Sequence, residues 1–244
     1  MATNNSPSGA GGMNVLITGA SRGIGKAVSE IFAANGYGLF LSSRSELALY
    51  KAMEELTTKY PAVSIKAKPF DLTDKQQSKE LGSWCLKYAV PDILINNAGL
   101  FEPGSVYNEP EGTLESQLAI NLHSAYHLTR ALLPEMMDRK AGHIFNLCSV
   151  ASLHAYKNGG AYSISKFAMY GFSKNLREEM KPFNIKVTSV HPGATLTDSW
   201  ENFDNSSNRI MEAEDIAKMI FASSQLSAAA CVEDIVIRPQ LGDL

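Results

Sequence analysis

The stretch Asn14–Gly25 reads N-V-L-I-T-G-A-S-R-G-I-G and joins a short apolar run to a glycine-rich loop. The run Asn14–Thr18 has the aliphatic character of a strand that is covered on both faces, and a helix-like pattern follows the loop at once. Gly19 permits a tight turn off the strand. Gly23 and Gly25 allow backbone N–H groups and the helix N-terminus to approach a pyrophosphate without a Cβ in the way. The succession of strand, loop and helix predicts a dinucleotide-binding unit.

Short apolar or β-branched runs alternate with helix-like segments through the rest of the chain. The predicted strands are Asn14–Thr18, Gly38–Ser42, Ser64–Phe70, Asp92–Asn96, His143–Ser149, Lys186–His191 and Asp234–Arg238. The predicted helices are Gly23–Asn35, Glu46–Lys59, Lys75–Tyr88, Thr113–Asp138, Ala161–Lys181 and Ala213–Ser224. This alternation predicts an α/β fold, a doubly wound (Rossmann) parallel sheet of about seven strands with helices on both faces. We expect one domain over 13–244, behind a small, polar and disordered leader at 1–12.

Composition excludes several classes of function. The 244-residue chain has a formal net charge of −3, so a nucleic-acid partner has no electrostatic support. No apolar run approaches the roughly 20 residues needed to cross a bilayer. The three cysteines are widely spaced and form no C-x-x-C pair, which predicts free thiols and a cytoplasmic location.

The end of the second predicted strand bears on cofactor choice. An NAD site would place an acidic residue about 20 positions after the loop, to accept from the ribose 2′-hydroxyl. Here the sequence is L-S-S-R-S-E, with Ser43 and Arg44 in that region. Arg44 can present a planar fork to a 2′-phosphate, and Arg22 adds a second positive charge, so we predict NADP(H). Alternatively, Arg22 is a solvated loop charge and Arg44 pairs with Glu46.

A second stretch, Cys148–Lys166, carries acid/base chemistry: C-S-V-A-S-L-H-A-Y-K-N-G-G-A-Y-S-I-S-K. Tyr162 and Lys166 are four residues apart, so they share one face of a helix. An ammonium beside a phenol favours the phenolate and lowers its pKa. Ser149 offers a hydroxyl to a carbonyl oxygen. A Tyr-x-x-x-Lys pair by itself is common, and its weight comes from the other motifs.

Five segments in this order resemble the short-chain dehydrogenase/reductase family. They are T-G-A-S-R-G-I-G at Thr18–Gly25, the pair Asp71 and Leu72, N-N-A-G at Asn96–Gly99, Ser149 with Tyr162 and Lys166, and H-P-G-A-T-L-T at His191–Thr197. Asn121 matches the fourth catalytic position of the family. Two positions depart from the family pattern: Cys148 stands where Ser is frequent, and His191 stands where Asn is frequent.

The resemblance implies four catalytic roles. Tyr162 would be the general acid for carbonyl reduction and the general base for alcohol oxidation. Lys166 would hold the nicotinamide ribose and depress the pKa of the tyrosine. Ser149 would hydrogen-bond the carbonyl oxygen, and Asn121 would bind a water that passes protons to bulk solvent.

The resemblance also implies a cofactor site. Its residues would be Gly19, Ser21, Arg22, Gly23, Ile24, Gly25, Ser43, Arg44, Asp71, Leu72, Asn97, Ala98, Gly99, Tyr162, Lys166, Pro192, Gly193, Thr195 and Thr197. Asp71 would contact the adenine and the 97–99 backbone the adenine-ribose side. Thr195 and Thr197 would hold the carboxamide. Family members commonly pair through two long helices, here Thr113–Asp138 and Ala161–Lys181, so we expect a homo-oligomer, either a dimer or a tetramer.

The substrate is less sharply indicated. His154, Tyr156 and Trp200 are candidates for the pocket wall, and the expected substrate is a small carbonyl compound or its alcohol. The C-terminal region resembles bacterial sepiapterin-reductase-like members, in which a carboxylate such as Asp198 or Asp243 could pair with a pterin edge.

Two alternative functions remain open. A 3-oxoacyl-[acyl-carrier-protein] reductase is the rival enzyme, but its acidic carrier would meet only Arg209 in the predicted lid. An NADP(H)-binding sensor or scaffold is the non-enzyme alternative, although it would not need the acid/base residues. We expect no metal site at His123 and His127, and we interpret the acids Glu109–Glu111 as solvated charges.

Overall fold

The computed structural model describes residues 12–197, 200 and 203–242. Most of the predicted leader, together with Asp198 and Asp243, lies outside these residues. The strands are β1 (Asn14–Thr18), β2 (Gly38–Ser42), β3 (Ile65–Ala67), β4 (Ile93–Asn96), β5 (Gly142–Leu147), β6 (Ile185–Pro192) and β7 (Asp234–Ile237). The α-helices are α1 (Gly23–Ala34), α2 (Glu46–Lys59), α3 (Lys75–Leu86), α4 (Thr113–Leu118), α5 (Ser124–Arg139), α6 (Gly160–Met180) and α7 (Ala213–Ser224).

All seven strands form one parallel sheet in the order β3-β2-β1-β4-β5-β6-β7. The order reverses between β1 and β4, because β1 pairs with β2 on one side and with β4 on the other. Ligands of open α/β sheets bind outside the carboxyl ends of the strands at such a reversal. The fold thus directs the ends of β1, β4, β5 and β6 toward one place. The doubly wound parallel α/β fold predicted from the alternating pattern is confirmed.

The core consists of two apolar layers, one on each face of the sheet. Val15 and Ile17 of β1 pack with α1 and α7, whereas Leu16 points to the opposite layer with α3, α5 and α6. Successive side chains of a strand face opposite sides, so both faces of β1 must be apolar when helices cover both. This is why its sequence is a continuous aliphatic run. No helix of the described residues is both long and apolar enough to span a bilayer.

The third strand is shorter than predicted. Its regular pairing with β2 covers Ile65–Ala67, where Ser64–Phe70 was expected. The backbone N–H groups of Lys68 and Phe70 still donate to β2 and to Ser43 at 3.1 and 3.2 Å. Pro69 between them has no N–H to donate, and proline is tolerated at a sheet edge for that reason.

The single helix predicted over Thr113–Asp138 is wrong in one respect. A π-helical turn at Ala119–His123 separates α4 from α5, and the Ser124 N–H donates to the Ala119 carbonyl five residues back. Such turns are rare and often occur at functional sites. The side chain of Asn121, in the middle of this turn, is bound to three other segments. Tertiary contacts of one residue therefore interrupt a helix that the periodicity alone predicts as continuous.

Candidate active site

A cavity of about 700 Å³ opens at the carboxyl edge of the sheet. It is bounded by the glycine loop, the segment after β4, the segment after β5, the start of α6 and the loop after β6. The predicted site residues that line it are Ile24, Asn97, Gly99, Ser149, His154, Tyr156, Tyr162, Lys166, Pro192, Gly193, Thr195, Thr197 and Trp200. The predicted residues Gly19, Ser21, Arg22, Gly23, Gly25, Ser43, Arg44, Asp71, Leu72, Ala98 and Asn121 lie outside this lining.

The glycine loop has the conformation that its sequence requires. Gly19 and Gly23 have φ angles of +64° and +52°, in the left-handed region that favours glycine. A Cβ on Gly25 would lie 2.2 Å from the carbonyl oxygen of Gly19, which is closer than any side chain can approach. The loop therefore folds tightly against the first turn of α1 and keeps its backbone accessible.

Asn97 fastens this loop to the sheet. Its side-chain Nδ2 donates to the carbonyl oxygens of Thr18 and Gly19 at 2.8 and 3.2 Å. In return, the Thr18 hydroxyl accepts from the backbone N–H groups of Asn97 and Ala98 at 3.0 and 2.9 Å. The resemblance assigned Asn97 a backbone role alone. The structure adds that its amide joins the ends of β1 and β4 and so sets the position of the loop.

Arg44 and Asp71 lie near each other beyond the ends of β2 and β3. The Asp71 carboxylate accepts from the Thr73 hydroxyl at 2.7 Å and the Thr73 N–H at 3.0 Å. These bonds, with a smaller contribution from the Arg44 charge, hold the pKa of Asp71 below its ordinary value against some burial. Arg44 is exposed. Within the described part of the chain it forms no salt bridge with Glu46, and Ser45 caps α2 by accepting from the Ala48 N–H at 3.4 Å.

Leu72 is the residue directly after Asp71. Its side chain is buried among the apolar residues between the sheet and α3. The carbonyl oxygen of Leu72 accepts from the Ser78 hydroxyl at 3.2 Å. The residue therefore anchors the segment that presents Asp71.

Tyr162 and Lys166 stand one turn apart at the start of α6, as predicted. The Lys166 ammonium donates to the carbonyl oxygen of Leu147, at the end of β5, at 2.8 Å. It lies 5.8 Å from the centre of the Tyr162 ring, and the lysine side chain is almost fully buried. Gly99 leaves room for the Lys166 ammonium and the Asn121 side chain, because a Cβ there would lie 3.5 Å from Lys166 Nζ and 2.9 Å from Asn121 Oδ1.

The pKa shifts of this pair differ from the expectation. Burial raises the pKa of Tyr162 to about 12, although its hydrogen bond with Ser149 acts in the opposite direction. Burial lowers the pKa of Lys166 to about 8. Desolvation dominates the pKa of Tyr162 in this structure, and the Lys166 ammonium is directed to Leu147, so the lowering of the tyrosine pKa by Lys166 stays a prediction. Burial favours the uncharged form of each group.

Ser149 follows β5 in an extended conformation and faces Tyr162. Its hydroxyl accepts from the Ala151 N–H at 3.1 Å and lies close enough to the Tyr162 phenol to lower its pKa. Phe101, which the sequence reasoning missed, packs edge-on against the Tyr162 ring with centroids 4.8 Å apart. The serine hydroxyl and the phenol thus converge at one point of the cavity wall, beside an apolar ring.

The side chain of Asn121 is fully engaged with protein groups. Its Nδ2 faces the Leu100 carbonyl at 3.0 Å, Gln117 Oε1 at 2.9 Å and the Ser165 hydroxyl at 3.0 Å, and its Oδ1 accepts from the Leu100 N–H at 2.9 Å. Ser165 immediately precedes Lys166. Asn121 therefore ties the segment after β4 to the catalytic face of α6 from the π turn.

The segment after β6 closes the cavity on the other side. Gly193 N–H donates to the Ile237 carbonyl at 2.8 Å, and the Thr195 hydroxyl donates to the Gly193 carbonyl at 3.0 Å. Thr197 lies against the glycine loop, since a Cβ on Gly23 would be 3.1 Å from its methyl carbon. Both threonines are thus placed between the loop and the catalytic residues.

The proposed substrate wall is largely aromatic. Tyr156 and Trp200 line the cavity with Phe101, and the Trp200 ring packs against Phe203 with centroids 5.2 Å apart. Arg238, directly after β7, also lines the cavity, and the sequence reasoning missed it. Only the position of Arg238 at a strand's carboxyl end could have suggested it.

Glu109 corrects another interpretation. The sequence predicts a solvated loop charge, but the Glu109 Oε2 accepts from the Ala161 N–H at 3.1 Å at the first turn of α6. The same loop is fixed to the segment before α6 by a hydrogen bond from the Gly104 N–H to the Asn158 carbonyl at 3.1 Å. A carboxylate is stabilised at a helix N-terminus. No signal in the sequence links a loop acid to a helix about 50 residues later.

The sequence and the fold were compared with known proteins. Residues 13–208 match the family described as short chain dehydrogenase. The chain is 31% identical over 240 residues to a protein of Chlorobaculum tepidum named sepiapterin reductase, covering 94% of this chain and 97% of that protein.

Solved structures with the same fold include a serine dehydrogenase complexed with NADP+, with a TM-score of 0.85, 25% identity, and coverage of 95% of this chain and 97% of that one. A short-chain dehydrogenase from Sphingobium yanoikuyae in complex with NADPH has a TM-score of 0.81 and 27% identity, with coverage of 91% and 87%.

The chain belongs to the short-chain dehydrogenase family, and it is an oxidoreductase.

Proposed function

We propose that the protein is an NADP(H)-dependent oxidoreductase that reduces a small carbonyl compound to an alcohol. One observation carries the proposal. Ser149, Tyr162 and Lys166 converge in one cavity, directly beside the glycine loop at the carboxyl edge of the sheet. The hydroxyl groups of Ser149 and Tyr162, with the Lys166 ammonium nearby, can hydrogen-bond and protonate a carbonyl oxygen.

The glycine loop fits a dinucleotide. A Cβ at the glycines of this loop would fill the space beside the backbone. Helix α1 begins at Gly23, so the first N–H groups of the helix face the loop. Arg44 and Arg22 supply positive charge for a 2′-phosphate, while Asp71 is held by Thr73 near the adenine side. The two structural relatives that carry NADP+ or NADPH support this choice of cofactor.

The bound nicotinamide would supply a hydride to the carbonyl carbon. The residues of this chain would stabilise and protonate the carbonyl oxygen of the substrate. Ser149 donates a hydrogen bond to it, and Tyr162 transfers its phenolic proton to it, leaving a phenolate that solvent reprotonates. Lys166 places a positive charge near that phenolate, and its Nζ would also hold the cofactor ribose. Asn121 keeps Lys166 in place through Ser165.

A pterin-like carbonyl is the substrate class that we favour. The 31% identity to a protein named sepiapterin reductase supports it, as do the aromatic side chains of Phe101, Tyr156 and Trp200 in the cavity lining. Aromatic side chains can pack against the rings of an aromatic ligand. The acidic partners suggested for the pterin edge, Asp198 and Asp243, lie outside the described residues.

NADPH consumption against a panel of carbonyls tests the function. The panel contains sepiapterin, diketones, small aldehydes and a 3-oxoacyl thioester, with NADH in parallel and Tyr162→Phe as the control. Turnover of sepiapterin with NADPH, reduced at least about a hundredfold in Tyr162→Phe, is the expected result. Turnover of the thioester alone would select an acyl reductase. Tight NADPH binding without turnover of any carbonyl would favour a sensor, and full activity of Tyr162→Phe would refute the assigned acid.

A further inference from the structure

A second group of polar side chains lies behind Ser149, on the side away from the cavity. His191, in β6, is fully buried. Its Nδ1 lies 2.8 Å from the Ser152 hydroxyl and 3.2 Å from the Ser149 carbonyl oxygen. On the other side of the ring, Nε2 lies 3.4 Å from a carboxylate oxygen of Asp234, at the start of β7. The imidazole therefore bridges the backbone of Ser149 and a strand at the edge of the sheet.

The neighbouring groups determine which ring nitrogen carries the proton. The Ser152 hydroxyl donates its proton to the Ser149 carbonyl oxygen, so its oxygen is left as an acceptor for His191. The Ser149 carbonyl oxygen is itself an obligate acceptor. Nδ1 faces two oxygens at 2.8 and 3.2 Å, whereas Nε2 faces one at 3.4 Å, so we assign the proton of the neutral ring to Nδ1. An unprotonated Nδ1 would place its lone pair against the carbonyl oxygen of Ser149.

The far side of the ring is held by a charged cluster. Lys174 Nζ donates to Asp234 Oδ2 at 3.0 Å, and the Tyr170 hydroxyl faces the same oxygen at 3.4 Å. The Tyr170 ring also packs edge-on against the imidazole of His191, with centroids 4.7 Å apart. Burial opposes ionisation of Asp234, but Lys174 and His191 outweigh it, so the pKa of Asp234 stays below its ordinary value.

Burial and the neighbouring hydrogen-bond partners act on the charge state of His191 in opposite directions. Burial lowers its pKa, whereas the hydrogen bonds to Ser149 and Asp234 act in the opposite direction. In either state Nδ1 keeps its proton toward Ser149. The ring, clamped by Tyr170 and Asp234, therefore has one orientation in which to hold the serine backbone.

We propose that His191 is a positioning residue of the reaction: its Nδ1–H holds the Ser149 carbonyl and the Ser152 hydroxyl, and this fixes the Ser149 hydroxyl relative to Tyr162. The inference rests on the proposed function. Ser149 is the residue after β5, and its side chain is oriented by its own backbone, so a shift of the carbonyl moves the hydroxyl. Misplacement of about 1 Å at a reacting centre can cost a hundredfold in rate.

Two substitutions separate this role from simple packing. His191→Asn keeps a donor close to the Nδ1 position and loses the contacts with Asp234 and the Tyr170 ring, whereas His191→Leu fills a similar volume without any donor. We expect His191→Leu to lower kcat about tenfold or more, with the Kd for NADPH unchanged, and His191→Asn to stay within about threefold of the original enzyme. Equal kcat values in the two variants, whether both high or both low, would overturn the proposal.

An NMR measurement tests the proposal if a variant does not fold or if no turnover can be measured. In ¹⁵N-histidine-labelled protein, the His191 resonances are identified by their loss in His191→Asn, and we expect a protonated Nδ1. An unprotonated Nδ1 would overturn the proposal even if His191→Leu does not fold. If the original protein turns over no carbonyl, the proposed function fails separately. The ¹³C resonances of Ser149 then decide, since Ser152→Ala and His191→Leu should shift them and His191→Asn should not.

Discussion

Lys166 and Tyr162 share one face of α6, yet the surrounding protein favours the neutral form of both. Each is desolvated by the walls of the same cavity, and the lysine donates to a backbone carbonyl instead of to the phenol. An acid for carbonyl reduction must keep its proton, and a raised pKa allows Tyr162 to do so. The titration that falls within the working range of an enzyme is therefore that of Lys166.

The pH profile tests this assignment. Because burial lowers the pKa of Lys166 to about 8, its ammonium is lost as pH rises through that value. We expect kcat/KM for carbonyl reduction to decline on the alkaline side from about pH 8 upward in steady-state assays. Lys166→Arg, which stays charged, should remove that decline even if its rate is lower. An unchanged alkaline limb in Lys166→Arg would assign the titration to another group.

Gly25 is the loop residue at which added volume is least tolerated. Its Cβ would lie 2.2 Å from the Gly19 carbonyl oxygen and 2.5 Å from Asn97 Nδ2. We expect Gly25→Ala to lower the free energy of unfolding by about 1–3 kcal/mol and to weaken NADPH binding about tenfold or more. Urea unfolding and fluorescence titration measure the two effects.

Gly171 provides the matched control. It lies in α6, and a Cβ there would meet no atom within 4 Å. Gly171→Ala should leave NADPH affinity unchanged, because this exposed position of α6 is not part of the glycine loop. If the two alanine variants behaved alike, the close approach of Gly25 to Gly19 would not be limiting.

At the scale of elements, α6 is positioned by two others. The loop before α4 places Glu109 on the Ala161 N–H, one residue before Tyr162. The π turn places Asn121 on Ser165, one residue before Lys166. The two catalytic residues of the helix are therefore each preceded by a residue that is bound from outside it. Periodicity predicts α6 but contains no information about either contact.

Substitution of Glu109 tests the first of these contacts. Glu109→Ala removes the carboxylate from the N-terminus of α6, so we expect about 1 kcal/mol less stability and a lower kcat at unchanged KM. Glu109→Gln keeps a hydrogen-bond acceptor without the charge, so its stability and kcat should lie between those of the original protein and those of Glu109→Ala. Glu111→Ala, an exposed acid of the same loop, is the control and should change neither quantity. Thermal unfolding and steady-state kinetics provide the readout, and equal effects of Glu109→Ala and Glu111→Ala would contradict the capping role.

At the scale of the whole molecule, α5 and α6 present apolar side chains to solvent. Tyr126, Ile164 and Phe167 are exposed, and the Tyr126 ring packs against Phe172 of α6. Exposed apolar patches of this kind mark interaction sites. We propose that this face joins copies of the chain, as the family resemblance implies.

Light scattering after size exclusion tests the assembly. Phe167→Glu places a charge in the apolar face and should reduce the molar mass to that of one chain. Leu47→Glu, at a highly exposed position of α2, should leave the mass unchanged. An original protein that already elutes as one chain, or a Phe167→Glu variant that stays assembled, would refute this interface.

The sequence predicts the helices and strands, and the residues of the site, to different extents. The bounds of β1, β2, α2 and α7 were predicted as they occur, because apolar patterning and turn residues are local signals. The interruption of the long helix at Ala119–His123 was missed, since it depends on the contacts of Asn121. In the site, the glycine loop and the Ser149, Tyr162 and Lys166 set were indicated by motifs. Phe101, Glu109 and Arg238 were not, because each reaches the site from a segment with no motif.

The sequence by itself determined the parallel α/β fold, the glycine loop and the residue types of the acid/base set. These depend on periodicity, on backbone freedom and on short spacings that neighbouring residues express directly. The tertiary structure alone decided the environment of those residues. It buried Lys166 and Tyr162 so that desolvation governs their protons, and it placed His191 behind Ser149 and Glu109 at the start of α6. Burial and long-range hydrogen bonds depend on which segments meet in space, and no local pattern records that.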